Sequence, residues 1–285
     1  MSSAPANGGP LNNYLLIVFD SCRYDSFLAA RPRHMRKLGR VERRWSYASW
    51  TAPSHYNLLT GLMPHRSPKR VYASEYYKAD FLKFNERLGG GGIEFKSLAP
   101  SLYLPPFLQR QLGYRTHARV SLPVLNPYTI LNCGFDSYKL MPAHNDFSAM
   151  LDELEFSSQR PSFYLLNAGE THYPYALAGE PPDLWPKLSG VHGVFERLDS
   201  KAPAVQTRRT LFSAAKLEEL RQRQVEAVRF LDGCMEKLFD TVPSHTYITI
   251  TSDHGELFGE EGYFGHGPIQ HPKVFEVPFV EGKIR

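Results

Sequence analysis

The sequence predicts an α/β domain: a mostly parallel central sheet flanked by helices. Three observations carry this. Three short apolar or β-branched runs are spread along the chain, at Tyr14–Phe19, Ser162–Asn167 and Thr246–Thr251. A helical pattern, Leu217 to Phe239, lies between the last two. Polar residues follow each run within three positions. A continuous run of four to eight such residues reads as a strand covered on both faces, which is the habit of parallel sheets between helices.

Taking the elements in order, residues 1–13 (MSSAPANGGPLNN) are small and polar and predict a disordered lead-in. Residues 14–285 are then expected to form one catalytic-sized domain. Tyr14-Leu-Leu-Ile-Val-Phe19 is the first strand and ends abruptly at Asp20. Arg31 to Arg44 holds seven Lys or Arg and one acid, Glu42, and reads as a solvated helix face. In Ser49 to Gly61, Pro53 suits a first helical turn and Gly61 a stop, which puts Thr51 at a helix N-terminus. Gly89–Gly92 predicts a loop, and residues 176–207 a surface excursion. In the last helix, Leu217, Leu220, Val225, Val228, Leu231, Met235 and Leu238 recur mostly every three or four residues. Thr246-Tyr-Ile-Thr-Ile-Thr251 is the closing strand of the three.

Composition narrows the function. With 42% apolar and 22% charged residues among 285, the chain is ordinary globular stock. Its six-residue opening run is far short of the ~20 apolar residues that span a bilayer, so no membrane anchor is expected. No secretory leader pattern precedes it. Cys22, Cys133 and Cys234 form neither a zinc pattern nor a disulfide framework, which predicts a cytoplasmic protein. A net charge of +4 is too small to argue for nucleic acid.

In open α/β sheets, ligands bind beyond the carboxyl ends of the strands. Asp20 follows the first run, Glu170, Thr171 and His172 the second, and Asp253 and His254 the third. Carboxylate and imidazole together suit zinc or manganese better than calcium. A single strand-end acid is usually a helix cap; this many groups at three ends favour a metal. Thr51 at a helix N-terminus sits where free N–H groups and the helix dipole attract anions. Its hydroxyl is a poor nucleophile unless activated by a metal or base.

These pieces occur in the order found in the alkaline phosphatase/sulfatase superfamily. Val18-Phe-Asp20-Ser-Cys-Arg-Tyr-Asp25 resembles that family's first-strand motif. The stretch Thr51 to Arg66 resembles its nucleophile helix and tail, and Glu170-Thr-His-Tyr-Pro-Tyr175 its mid-chain histidine segment. Arg229-Phe-Leu-Asp232 and Thr251-Ser-Asp-His-Gly-Glu256, followed by Gly265-His-Gly267 and Val277-Pro278, resemble its closing motifs. The likeness runs from about Leu15 to Val280.

The resemblance implies an alkaline phosphatase-like fold. It implies a metal set of Asp20, Thr51, Asp253 and His254, with Thr51 also the nucleophile. His172 and His266 are implied as catalytic and substrate-binding, or as holders of a second ion, with Glu170 a further substrate-binding candidate. Asp25, Asp232, His65 and Arg66 are expected to be structural, and His271 is an outside candidate. Sulfatases have Cys or Ser where Thr51 stands, and Thr cannot become their formylglycine. The family's following Arg is His55 here, and Asp20 is followed by Ser21 rather than a second Asp. One firmly bound zinc or manganese ion is therefore expected, with a second as the alternative. Seven residues follow Pro278, and a fold without the usual sulfatase C-terminal extension is expected.

The expected activity is metal-dependent hydrolysis or transfer of a phosphate or phosphonate ester through a phosphothreonine, on a small anionic ester. The alternatives are a phosphomutase, a sulfate-ester hydrolase, or a catalytically silent metal-binding partner in a biosynthetic complex.

Overall fold

The computed structural model describes residues 10–66, 73–90, 92–94, 103–188 and 213–284. Among the described residues, nine strands form in chain order: β1 (Asn13–Phe19), β2 (Glu42–Trp45), β3 (Arg115–Val120), β4 (Ser137–Leu140), β5 (Ser162–Ala168), β6 (Thr246–Ser252), β7 (Leu257–Phe258), β8 (Phe264–Gly265) and β9 (Glu276–Lys283). The helices are α1 (Tyr24–Ala30), α2 (Thr51–Leu59), α3 (Ala73–Leu82), α4 (Phe84–Arg87), α5 (Leu104–Leu112), α6 (Phe147–Asp152), α7 (Ala214–Thr241) and the single turn α8 (Pro272–Phe275).

Seven strands make one sheet in the order β2-β9-β6-β1-β5-β3-β4. The run β6-β1-β5-β3-β4 is parallel throughout, and β9 pairs antiparallel with both β6 and β2. The three runs seen in the sequence are thus the three central strands, and all seven residues of each are buried. Strand periodicity divides β1 between two cores. Leu15, Ile17 and Phe19 pack with α1 and α7 on one face. Tyr14, Leu16 and Val18 pack with α2 and α5 on the other.

The long helix α7 starts on Ser213, whose side chain accepts the Lys216 N–H, and its seven expected apolar positions are all buried. Asp232 on this helix accepts N–H bonds from Arg33, His34 and Met35, tying the segment after α1 to the helix. That is the structural role expected of it.

Two expectations need correction. The lead-in ends before residue 12: Asn12 and Asn13 are buried, Asn12 is bonded to Leu88, and Asn13 begins β1. Residues 1–9 lie outside the described residues. The basic run Arg31–Arg44 is not a solvated helix face. Its regular structure is a short 3₁₀ turn at Met35–Lys37 and strand β2. Arg44 is buried, paired with Glu42 and Asp80, and its guanidinium lies 3.4 Å from the centroid of the Phe279 ring. A run of cations hides such a residue, because composition does not say which cation faces inward. Of the excursion 176–207, residues 176–188 are described, and the rest, with His192, lie outside the described residues.

Candidate metal centre

The parallel register delivers the site. Phe19 lies opposite Ala168 of β5 and Ser252 of β6, so the residues just beyond these three positions emerge side by side at the carboxyl edge of the sheet. Asp20 and Asp253 are two of them. Ser21 then adopts φ 59°, the left-handed region that costs a non-glycine residue on the order of 1 kcal/mol. That turn aims its N–H at Asp253 Oδ1, 3.0 Å away. The His254 N–H reaches the same oxygen at 2.8 Å. At Gly255 the carbonyl of Lys273 approaches so closely that a Cβ would collide with it, so only glycine lets the turn after His254 pack there.

Asp20, Asp253 and His254 form one buried group whose donor atoms lie within 4.8 Å of one another. Asp20 accepts from Ser21 Oγ at Oδ1 and from Asn167 Nδ2 at Oδ2. Asp253 Oδ2 is buried with no hydrogen-bond partner, which leaves it available to a cation. His254 Nδ1 lies 2.9 Å from the Gly255 carbonyl, which can only accept, so Nδ1 carries the proton and Nε2 presents its lone pair. Burial, with the Asp20 charge beside it, holds the Asp253 carboxyl well above its ordinary value. Burial drives the His254 imidazole down to about 4, so at neutral pH it is unprotonated and ready to ligate. Two facing carboxylates in a buried site are what a divalent cation neutralises, and these residues fit one.

Thr51 is the first residue of α2, after Trp50 at the N-cap. Its hydroxyl does not cap the helix. Oγ1 lies 3.5 Å from Asp20 Oδ1 and 3.4 Å from His254 Nε2, so the nucleophile candidate borders the group expected to hold the ion.

The two remaining histidines stand nearby. The His254 and His266 rings are 4.2 Å apart between centroids, and those of His266 and His172 5.6 Å. His172 Nδ1 is held by the Tyr173 carbonyl at 2.8 Å, leaving Nε2 open. His266 Nδ1 is buried without a partner, and burial together with the neighbouring His254 and His172 holds its imidazole well below the usual value.

Glu170 is fully buried and is not among the grouped metal-ligand candidates; one of its oxygens, Oε2, has no hydrogen-bond partner. Its Oε1 accepts the Phe147 N–H at 2.7 Å, at the start of α6. Burial pushes its carboxyl up to about 7. Asp25 is structural as expected, bonded to Arg23 and Lys273. His65 pairs with Trp45 across a β-bridge, and Arg66 pairs with Glu42. His271 accepts the Lys273 N–H at the start of α8, a cap rather than a ligand.

Sequence reasoning passed over two buried residues at this site. In the sequence His55 stands out only as a departure from the family pattern, and Asn167 only as the end of a strand. Their signals were present. His55 lies one helical turn after Thr51 on the same face, and Asn167 is a polar residue closing an apolar run.

No family model matches the chain, and no curated protein matches it in sequence. Solved structures do match its fold. The soluble domain of lipooligosaccharide phosphoethanolamine transferase A from Neisseria meningitidis aligns with TM-score 0.55 and 14% identity, covering 98% of this chain and 78% of that one. The C-terminal periplasmic domain of EcEptC from Escherichia coli, in complex with Zn, aligns with TM-score 0.51 and 14% identity, covering 99% and 78%. BT4656, in complex with its substrate D-glucosamine-2-N,6-O-disulfate, aligns with TM-score 0.52 and 12% identity, covering 96% and 71%. The fold is the alkaline phosphatase-like one, with a mostly parallel seven-stranded sheet.

Proposed function

We propose that this protein is a metal-dependent enzyme that hydrolyses or transfers a phosphate or phosphonate ester through a covalent phosphothreonine at Thr51. The observation that carries the reading is the hydroxyl of Thr51 set against Asp20 and His254, beside a buried carboxylate oxygen with no partner. A divalent cation, zinc or manganese, would be held by Asp20, Asp253 and His254 with Thr51 at its edge. When bound, it supplies charge neutralisation and a lowered hydroxyl pKa. The Zn complex of a protein with this fold supports zinc as the first choice.

Thr51 Oγ1, its proton released to water, attacks phosphorus as the bond to the leaving oxygen breaks; water or an alcohol then attacks, the Thr51 O–P bond breaks, and Thr51 regains a proton. His172 presents Nε2 to the site, because its other nitrogen is held by a carbonyl. As imidazolium it gives its proton to the leaving oxygen; as imidazole it takes one from the incoming water or alcohol. His266 lines the same wall, between His172 and His254. Hydrolysis makes the protein a phosphatase or phosphodiesterase, and alcohol acceptance makes it a transferase. The three free cysteines suit a reducing, cytoplasmic setting.

The test is a zinc-loaded protein incubated with an aryl phosphate and quenched in acid. Mass spectrometry is expected to find a phosphoryl group on Thr51, absent in Thr51→Ala, with turnover in that variant lower by ~10³-fold or more. Unimpaired turnover by Thr51→Ala would contradict the reading.

A further inference from the structure

A chain of hydrogen bonds runs behind the candidate metal centre, and its polarity can be worked out from one end to the other. Asn167 Oδ1 lies 3.2 Å from the Ser121 N–H and 3.4 Å from the Leu122 N–H. Two backbone donors fix that atom as the oxygen, so the amide NH₂ faces the other way. There Nδ2 meets Asp20 Oδ2 at 3.2 Å and His55 Nε2 at 3.4 Å. One amide hydrogen serves the carboxylate and the second points at the imidazole, which must accept. At the other side of the ring, His55 Nδ1 lies 2.9 Å from the backbone carbonyl of Thr51, which also only accepts. The proton therefore sits on Nδ1. Asp253 Oδ2 lies 3.8 Å from that same nitrogen. Both partners specify one neutral tautomer.

We propose that His55 and Asn167 are a coupled pair of positioning residues. Asn167 orients the carboxylate of Asp20, and through a neutral, Nδ1-protonated His55 it fixes the first turn of α2, so that ligand and nucleophile keep one mutual geometry. Neither residue touches substrate. Three elements are joined in this way: β1 through Asp20, β5 through Asn167 and α2 through His55 and Thr51. Each is needed at the site and none is a sequence neighbour of the others. The pair rests on the proposed reading for its purpose, but its polarity stands on hydrogen-bond partners alone.

Two measurements test it. Ring-nitrogen NMR on the metal-free wild-type protein at neutral pH is expected to show His55 neutral with its proton on Nδ1. A proton on Nε2, or a doubly protonated ring, overturns the relay whether or not the protein binds metal. Zinc titration of His55→Ala, Asn167→Ala and the double variant is expected to show affinity losses of about 10- to 100-fold for Asn167→Ala and smaller ones for His55→Ala. The double variant is expected to be no weaker than Asn167→Ala within about twofold, as for residues acting through one link. Losses that multiply, or zinc affinity unchanged in Asn167→Ala, overturn the coupling. A wild-type protein that binds no zinc contradicts the proposed function instead and leaves the NMR result to decide the relay. Thermal melts identify any variant that fails to fold, and the wild-type spectrum needs none of them.

Discussion

The ends of β1 and β6 and the end of β5 share one edge of one sheet, yet they treat their acids differently. At β1 and β6, Asp20 and Asp253 turn toward each other, and Asp253 keeps a buried oxygen without a partner. At β5 the acid two residues past the strand, Glu170, gives one oxygen to the N–H of Phe147, and its other, also buried without a partner, is not part of the group of Asp20, Asp253 and His254. The difference lies in what the following backbone does. After β1 the left-handed turn at Ser21 points its N–H at Asp253. After β5, Gly169 lets the carbonyl of His144 press against the chain, where a Cβ would collide, and Glu170 continues toward α6. A position at a strand end places an acid near a site; the turn that follows decides whether it faces the site.

Three variants can break or sharpen that contrast, beginning with the largest expected effect. Asp253→Ala removes one of two facing carboxylates and leaves an incomplete donor set. Stoichiometric zinc binding, followed by titration, is expected to vanish, and activity with it; retained stoichiometric zinc would break the contrast.

His172→Ala leaves the three ligands intact and removes the acid-base group. Turnover is expected to fall about 10²- to 10⁴-fold while the firmly bound ion is kept. Loss of the ion in this variant would move His172 into the ligand set.

The smallest effect belongs to β5. The Glu170 carboxyl is near 7 in the folded protein and near its ordinary 4.5 when unfolded. Between those values the unfolded chain gives up its proton first, so this group favours folding below about pH 4.5 and works against it increasingly up to pH 7. Glu170→Gln removes that dependence. Chemical denaturation is expected to show a smaller loss of stability between pH 5 and pH 8 than in wild type, by about 1–3 kcal/mol, with zinc affinity unchanged. A variant as pH-dependent as wild type, or one with weakened zinc binding, would count against a purely structural Glu170.

Much of this was legible in the sequence. The three central strands are continuous apolar or β-branched runs, and burial on both faces is what such runs require. The buried face of α7 is its apolar periodicity. That Asp20, Asp253 and His254 would gather was legible because each lies within two residues of a strand end, and Thr51 because it begins a helix. What stayed hidden depends on long-range pairing. Nothing local to Arg44 says that it will lie on Phe279, and nothing local to Glu170 says that Phe147 will claim its oxygen. Nor does Asn167 reveal in sequence that Ser121 and Leu122, just past β3, supply the two N–H groups that orient its amide.

The most direct test of the whole account is a crystal of zinc-loaded protein measured on both sides of the zinc absorption edge. A single strong anomalous peak is expected between Asp20, Asp253 and His254, within bonding reach of Thr51 Oγ1. A peak elsewhere, or none in protein shown to be loaded, would contradict it.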